Sequence, residues 1–347
     1  MAGIKIDPAP ATALRKMVEE AERIALISHT APDGDSVGSS IGFAAMLREK
    51  GKSHISVIVP DDIPQYLYCI PGANKVIVHE THPSEAEKAL AEADLVFCMD
   101  FNAPHRVAGL QSALESSSAP KVLIDHHLYP ADIFTLSFSY PPLSSTSELV
   151  LRLAKAIGME SYLTQDAATA LMTGILTDTG VFSYSSSDPD LYLLVADLMR
   201  AGADKDTIIR NTFQQNSEGK MRMQGYVLYE KMTLLPEMGV AYFTLSAEEL
   251  VRFHNRTGDT DGLANLPLDI AGIEAVCFLR EDKNQIKLSF RSTGNYPVNT
   301  LAENFGGGGH KNAAGGEFQG SLQEATEKLL KIWKDFNPKN YDNKNQQ

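Results

Sequence analysis

Cysteine is scarce in this sequence, and long apolar runs are missing. Only three of the 347 residues are cysteine, at positions 69, 98 and 277, and they form no CxxC pair. This spacing indicates free thiols in a reducing compartment. No run approaches the roughly 18 to 20 apolar residues of a membrane span, and no signal-peptide pattern opens the sequence. We therefore expect a cytoplasmic protein that has no membrane partner.

Positive charge is also in short supply. Lysine and arginine total 31 against 44 aspartate and glutamate residues, which gives a formal net charge of −13. Binding long nucleic acid by bulk electrostatics requires a broad basic face, so this charge argues against such a grip. A short anionic ligand is not excluded, because a local pocket of arginine, histidine and metal can hold phosphate inside a negative protein.

The remaining composition is that of an ordinary globular protein, with 43% hydrophobic and 22% charged residues. The length favours two domains, because single cores rarely grow beyond about 250 to 300 residues. We expect residues 1–215 to form the first domain, 216–232 a linker helix and 233–337 a smaller second domain. The polar end at 338–347 is expected to be disordered.

The first half of the sequence alternates strand and helix patterns. Short, mostly apolar strands are predicted at 24–28, 54–59, 75–78, 95–99 and 121–124. Such strands suit a mostly parallel α/β sheet that is buried on both faces by helices. Helical patterns follow at 145–156, 165–177 and 191–199, and strands return at 240–245, 273–279 and 286–290 after a helix pattern at 217–231.

A cluster of metal-ligand side chains follows the first strand. His29, Asp33 and Asp35 lie within seven residues, and Pro32 and Gly34 bend the chain between them. Pro32 forbids a helix through the turn, so the three side chains can converge on one point. A Pro-Asp-Gly run is also ordinary turn chemistry, so this stretch alone leaves both interpretations open.

Further ligand-type residues stand at the ends of later elements. Asp100 ends one predicted strand, and the run Asp125-His126-His127 ends another. Asp178 follows a predicted helix beside a glycine, where it can equally be an Asx turn or a helix-ending residue. Ligands gather at the carboxyl ends of strands in open α/β sheets, so these ends predict one shared site.

This site suits two divalent cations. One set of ligands is His29, Asp33 and Asp100, and the other is Asp35, Asp100, His126 and Asp178. Asp100 is the natural bridge, because a carboxylate can span two ions about 3.5 to 4 Å apart. Imidazole and carboxylate ligands without thiolate favour manganese, with magnesium or cobalt as substitutes, over structural zinc.

Two residues of the Asp125-His126-His127 run are predicted to act beside the metals. Adjacent residues at a strand end point in opposite directions, so we assign Asp125 to orienting a neighbouring imidazole. His127 is then available to contact the scissile phosphate. With the shared ligand Asp100, these two form the predicted catalytic set.

A glycine run near the end of the sequence is the candidate phosphate-binding segment. The run 306–309 precedes His310 and Lys311, and its bare N–H groups can cradle a phosphate, although glycine runs also occur as flexible loops. Ala313 and Ala314 could begin a helix whose N-terminus faces the anion. Arg291, at the end of a predicted strand, could add a bidentate contact.

Taken together, these motifs resemble the DHH phosphoesterase superfamily with a DHHA1 second domain, in its nanoRNase and pAp phosphatase branch. They occur in the family's order over about residues 20 to 320 and are His29-x-x-Pro-Asp-Gly-Asp35, Asp100, Asp125-His126-His127, Thr177-Asp-Thr-Gly180 and Gly307-Gly-Gly-His310. The resemblance implies a mixed sheet in the second domain and a dimanganese site with the ligands assigned above. It places His127 at the phosphate and assigns the nucleotide to Arg291, Gly307, Gly308, Gly309, His310 and Lys311.

One departure from the family is visible, because Ala31 stands where many relatives carry asparagine. The expected activity is manganese-dependent cleavage of very short oligoribonucleotides, dinucleotides to about pentanucleotides, and of linear dinucleotides such as pApA, with pAp phosphatase activity. The alternatives are a RecJ-like exonuclease on longer strands, a cyclic dinucleotide phosphodiesterase and a non-catalytic nucleotide sensor. The resemblance also suggests a homodimer.

Overall fold

The computed structural model describes residues 4–256, 258–283 and 285–336. The chain divides into two compact units, and the division falls between Gln215 and Asn216. The predicted two-domain α/β class is confirmed. The tail that is expected to be disordered, 338–347, lies outside the described residues. Every helix within the described ranges is too short or too polar to cross a bilayer.

The first unit contains one six-stranded parallel sheet in the order β3-β2-β1-β4-β5-β6. Its strands are β1 Arg23–Ile27, β2 His54–Val59, β3 Ile77–Val78, β4 Leu95–Met99, β5 Lys121–Asp125 and β6 Leu136–Ser139. Its helices are α1 Pro8–Glu20, α2 Gly34–Glu49, α3 Pro83–Glu92, α4 Gln111–Ser116, α5 Thr146–Ala156, α6 Gln165–Asp178, α7 Pro189–Arg200 and α8 Lys205–Thr212. The sequence pattern missed β6, an edge strand in which only Phe138 is buried.

The strand order explains where a site forms in this unit. Every residue of β4 and β5 is buried, as expected for central strands covered on both faces by helices. The order reverses between β1 and β4, and ligands bind in the crevice at the carboxyl ends of strands at such a switch point. His29 follows β1, and Asp100 follows β4.

Glycines allow α2 and α6 to pack almost backbone to backbone. A Cβ atom at Gly38 would lie 2.5 Å from the Ala170 carbonyl oxygen, and one at Gly42 would lie 2.5 Å from Cγ of Leu171. Neither distance is compatible with a side chain, so this spacing requires glycine. The first turn of α2 is thereby held beside the last turns of α6.

The second unit contains a mixed sheet in the order β11-β12-β10-β9-β8-β7, as expected. Its strands are β7 Thr233–Leu235, β8 Val240–Leu245, β9 Ala275–Asp282, β10 Gln285–Ser292, β11 Gly308–His310 and β12 Ala313–Phe318. Its helices are α9 Glu218–Tyr226, which continues into a π-helical turn at Val227–Lys231, α10 Ala247–Arg252, α11 Val298–Glu303 and α12 Leu322–Asp335.

Alternation along β10 divides that sheet into two different faces. Ile286, Leu288 and Phe290 are buried in one core, to which α12 contributes Leu329 and Trp333. Lys287, Ser289 and Arg291 project from the opposite face and are only partly buried. The segment that the sequence assigns to a linker contributes Met223 and Val227 to a further core cluster of this unit.

Candidate metal centre

The turn after β1 positions His29 and Asp33 with hydrogen bonds of its own. Asp33 caps α2: its Oδ1 accepts from the backbone N–H of Asp35 and Ser36 at 3.1 and 2.9 Å. The other oxygen, Oδ2, lies 3.8 Å from Nε2 of His29. Nδ1 of His29 lies 2.7 Å from the Thr30 carbonyl oxygen, which can only accept, so Nδ1 carries the proton. Nε2 is therefore the ring atom that faces the carboxylates of Asp33 and Asp100.

Asp35 is fully buried and is held by the start of another helix. Its Oδ2 accepts from the backbone N–H of Thr146 at 2.6 Å, and its Oδ1 accepts from that of Ser147 at 2.9 Å. Both donors belong to the first turn of α5, where unpaired N–H groups and the helix dipole favour an anion. The N-terminus of α5 thus fixes both oxygens of this carboxylate.

Asp100 occupies the centre of the cluster. It is buried and adopts a left-handed φ of 63°, which is uncommon for a residue other than glycine. Its Oδ2 lies 3.4 Å from Nε2 of His29, and its Oδ1 lies 3.6 Å from Nε2 of His126. Oδ1 also accepts a 2.8 Å hydrogen bond from the Thr146 hydroxyl. Its two oxygens thus face different halves of the cluster.

His126 and Asp178 complete the second half. Nδ1 of His126 lies 3.3 Å from the Leu143 carbonyl oxygen, and Nε2 lies 3.2 Å from Oδ2 of Asp178. Asp178 is the last residue of α6. The helix-ending interpretation and the site interpretation of this aspartate are therefore compatible.

The Asp125 side chain contacts His127, two residues further along the chain. Nδ1 of His127 lies 2.7 Å from Oδ1 of Asp125, and the Asp125 side chain has no exposed surface. Within the described residues, Oδ2 of Asp125 has no hydrogen-bond partner. The rings of His126 and His127 meet edge to face with centroids 4.9 Å apart. The geometry matches an aspartate that orients an imidazole.

The side chains form three overlapping groups that could each hold a metal ion. Ligand atoms within 4.8 Å of one another define the groups His29–Asp33–Asp100, Asp35–His126–Asp178 and Asp100–His126–His127. The first group has the same residues as one predicted ligand set, and the second has three of the four residues of the other set, without Asp100. The third brings His127 close enough to be a ligand itself.

The electrostatics of the cluster show a surplus of buried negative charge. Burial, followed by the charge of Asp100, raises the pKa of Asp35 to about 7. Burial lowers the pKa of His126, but the charges of Asp100 and Asp178 outweigh it and raise this pKa to about 9. Burial and the charge of Asp35 raise the pKa of Asp178 well above its usual value. Carboxylates in such positions require positive charge, and oxygen-rich ligand sets suit hard divalent cations.

Close glycine packing holds the two halves of the cluster together. A Cβ atom at Gly174 would overlap the Ser147 side chain and would lie 2.7 Å from Oδ1 of Asp35. A Cβ atom at Gly34 would overlap the side chain of Thr177. These glycines leave the space in which Asp35 meets α5 and α6.

In the second unit, the prediction of a helix at Ala313 and Ala314 is wrong. Both residues lie in β12, which pairs with β10 and with the short strand β11. Ala313 pairs with His310, so the second half of the glycine run is itself a strand. A Cβ atom at Gly307 would overlap the Gly315 backbone, which shows that the small residues here reflect close backbone approach.

Some of the residues predicted to bind substrate line a cavity of about 530 Å³ in this unit. Arg291 and Gly307 line it, together with Arg280, Lys287 and Ser289. Among the described residues, four of the predicted set lie outside the cavity lining and are exposed on or beside β11: Gly308, Gly309, His310 and Lys311. Nζ of Lys311 donates to Oδ1 of Asn295 at 2.9 Å.

Comparison with known proteins identifies the two units. Residues 23–175 match the N-terminal domain of the DHH family, and residues 238–337 match the DHHA1 domain. The bifunctional oligoribonuclease and PAP phosphatase NrnA of Thermus thermophilus is 30% identical over 308 residues, which cover 88% of each chain. The chain belongs to the DHH family.

Two further proteins are similar to this DHH protein over most of its length. A crystal structure described as an exopolyphosphatase-related protein from Bacteroides fragilis is 38% identical with a TM-score of 0.94, and the match covers 96% of this chain and 98% of that one. The cyclic-di-AMP phosphodiesterase GdpP of Bacillus subtilis is 26% identical over 91% of this chain, which spans 48% of that longer protein. As a DHH protein with NrnA relatives, the chain is a metal-dependent phosphoesterase.

Ala31, which departs from the pattern that the family resemblance implies, lies in an unusual backbone conformation. Ala31 adopts a left-handed φ of 51°, and its N–H donates to Oδ2 of Asp61 at 2.6 Å. Asparagine tolerates this conformation better than alanine, because its short polar side chain bonds locally. An asparagine at position 31 would therefore suit this turn.

Sequence reasoning missed the part that Thr146 and Ser147 play in this DHH centre. Thr146 bonds to Asp35 through its backbone and to Asp100 through its hydroxyl, and so joins the two halves. The available signal was Ser145-x-x-Glu148, a helix-start pattern in which Ser145 caps α5. That pattern predicts bare N–H groups at this point of the chain but does not say what they bind.

Proposed function

We propose that this DHH enzyme is a manganese-dependent phosphodiesterase that degrades very short oligoribonucleotides, dinucleotides to about pentanucleotides, to mononucleotides. The proposal extends to linear dinucleotides such as pApA and to the 3′-phosphate of pAp. The observation that carries it is the double ligand cluster around Asp100. The NrnA name of the Thermus thermophilus relative supports the choice of substrate.

The residues of the cluster would hold two divalent cations. His29, Asp33 and Asp100 would hold one, and Asp35, Asp100, His126 and Asp178 would hold the other. Bound there, the cations would neutralise charge on the phosphate and would lower the pKa of water towards neutrality. The chain's own part is to fix the ligands: α5 pins Asp35, the Thr30 carbonyl sets the tautomer of His29, and Thr146 steadies Asp100.

His127 is proposed to contact the scissile phosphate. Nδ1 of His127 is engaged by the buried Asp125, so the ring orientation is fixed before substrate arrives. Nε2 is the ring atom assigned to the phosphate oxygen. Asp125 acts through His127, as a positioning residue.

Substrate binding is assigned to the second unit. Arg291 lies on the open face of its sheet, and the exposed glycines of β11, Gly308 and Gly309, lie in the same sheet, whereas the N–H groups of Gly306 and Gly307 already donate to backbone carbonyls. A guanidinium and bare backbone amides are both suited to phosphate oxygens. We keep Gly308, Gly309, His310 and Lys311 in this proposal as exposed contacts beside the cavity.

The proposal also covers the metal ion, the cellular location and the oligomeric state of the enzyme. Manganese is preferred because both predicted ligand sets mix imidazole with carboxylate and contain no thiolate. The free thiols at Cys69, Cys98 and Cys277 support a reducing, cytoplasmic location. A homodimer is retained as an expectation, to be measured by light scattering.

A cyclic dinucleotide phosphodiesterase is the second candidate, because GdpP is a relative over nearly the whole chain. It shares the proposed metal chemistry and differs in the substrate accepted. A RecJ-like exonuclease is weaker, since long strands require a wide basic track and the net charge is −13.

One hydrolysis assay separates these candidates. Purified protein with manganese is given pApA, pAp, cyclic di-AMP, 5′-phosphorylated RNAs from dinucleotide to heptanucleotide and a strand several times longer. We expect rapid release of mononucleotides from the shortest RNAs and slow attack on the long strand and the cyclic compound. Absence of product from the dinucleotide and the trinucleotide would refute the proposal, and binding without product would identify a sensor.

A further inference from the structure

The cavity of the second unit contains a pair of basic residues to which the sequence motifs assign no role. Arg280 on β9 and Lys287 on β10 are directly opposite each other in the antiparallel register, on the same open face as Arg291. Like charges in directly opposed positions destabilise a strand pair. In a chain with net charge −13, two basic residues so placed call for an explanation.

Local contacts only partly offset the repulsion between this pair. Oδ2 of Asp282 lies 2.9 Å from Nζ of Lys287 and 3.7 Å from Arg280. The Arg280 guanidinium also donates to the Thr260 hydroxyl at 2.6 Å. The two cations thus share the Asp282 carboxylate, and the Thr260 contact fixes the guanidinium without neutralising it.

Acidic residues in the cavity lining limit the area of positive charge. Asp261 and Glu317 also line the cavity, and Glu317 on β12 lies opposite Lys287 in the strand register. The cavity is therefore not a broad basic field. Positive charge concentrates at two places on one sheet face, at the Arg280–Lys287 pair and at Arg291.

The distance between these two places suits a nucleic-acid strand. Lys287 and Arg291 are four residues apart on β10, which corresponds to about 14 Å at about 3.4 Å per residue. Ser289 lies between them and pairs with Gly315 of β12. A single phosphate cannot contact both ends, whereas a strand with more than one internal phosphate can follow the sheet face from one to the other.

We propose that Arg280 and Lys287 bind a second, more distant phosphate of the oligonucleotide and so set the preference for substrate length. The inference rests on the proposed function and refines it: Arg291 holds a phosphate common to all substrates, and the pair holds one that only substrates longer than a dinucleotide possess. The ligand class is a short single-stranded RNA, recognised through its backbone.

Charge-removing variants of the full chain test this assignment. Arg280→Gln and Lys287→Gln are compared with wild type on pAp, a dinucleotide, a trinucleotide and a pentanucleotide, with thermal melting as a check on folding. Lys283→Gln is the matched control, because Lys283 is exposed at the tip of the same hairpin and is not part of the cavity lining.

We expect KM for the trinucleotide and the pentanucleotide to rise about tenfold in either cavity variant, with kcat little changed and a far smaller change on pAp. The dependence of log KM on log salt for the pentanucleotide should become shallower by up to about 0.7, because each variant weakens the neutralisation of one phosphate. Lys283→Gln should behave as wild type on every substrate. A purely structural role would not change the salt slope.

Two results would overturn the inference. One is an equal loss on all four substrates, which would place the pair at the common phosphate or in the fold. The other is wild-type kinetics on the pentanucleotide in both cavity variants. Failure of the proposed function is a separate result, because wild type itself would then release no nucleotide from any of the RNAs.

Discussion

The two units build their candidate sites from different materials. The first uses buried side chains, each held by a capping bond or the start of a helix, so that Asp35 and Asp100 have almost no freedom. The second uses glycine backbone and long side chains on a partly exposed sheet face. The proposed function divides these roles accordingly: the rigid ligands of the first unit are assigned the chemistry, and the more open surface of the second is assigned the choice of substrate.

The largest effect is expected from Asp100→Asn, which tests the rigid ligand cluster of the first unit. Asparagine tolerates the left-handed φ of 63° and retains an acceptor for Thr146, so the fold should persist. Loss of the shared carboxylate should lower kcat/KM more than about 100-fold on every substrate. Steady-state kinetics with manganese, together with a thermal melt, measure both effects. Retained turnover would remove Asp100 from the ligand set.

Gly174→Ala should disturb the same centre without removing a ligand. The new Cβ would press on the Ser147 side chain and on Oδ1 of Asp35, so we expect lower manganese affinity and a loss of about 1 to 3 kcal/mol in the free energy of unfolding. Gly225→Ala is the control, since a Cβ atom there meets nothing within 4 Å and α9 should gain about 0.5 to 1 kcal/mol. Chemical denaturation and metal titration of both variants provide the measurement. Equal stability of the two variants would contradict the packing account.

Gly308→Ala tests the partly exposed substrate surface proposed for the second unit. A Cβ atom at Gly308 would also meet nothing within 4 Å, so the melting temperature should not fall. If bare backbone is needed for close approach of a phosphate, KM should rise about threefold to tenfold on all substrates while kcat is retained. Unchanged KM values for pAp and for the trinucleotide would exclude this part of the glycine run from substrate contact.

Ala31→Asn should give the smallest effect. Asparagine relieves the left-handed strain at the turn, and the stability to urea should rise by up to about 1 kcal/mol. The proposed metal ligands on either side, His29 and Asp33, are unaltered, so kcat should change little. A decrease in stability would show that the site around Asp61 has no room for the larger side chain.

The sequence locates part of the candidate metal cluster, because three of the proposed ligands stand where an apolar strand ends. His29, Asp100 and His126 follow buried strands, and the strand-end rule for α/β sheets brings such positions together. Thr146 could not be foreseen in the same way. Its contacts with Asp35 and Asp100 depend on how α5 packs, which no local pattern encodes.

The second unit is less predictable for physical reasons. Ala313 and Ala314 favour helix by local propensity, but pairing with β10 and the close approach of Gly307 impose a strand. The opposition of Arg280 and Lys287 depends on the register of the β9–β10 hairpin. The motif spacing in the sequence predicts a phosphate contact at Arg291. Only the strand register shows that Arg280 and Lys287 lie on the same sheet face.

The number of metal ions bound per chain tests the account most directly. Metal-free protein is titrated with manganese by calorimetry, in wild type and in Asp100→Asn, and the bound metal is counted by elemental analysis after desalting. We predict two manganese ions per wild-type chain and at most one in the variant, because Asp100 contacts both halves of the cluster. Two ions in both proteins, or one or none in wild type, would contradict the shared two-metal centre.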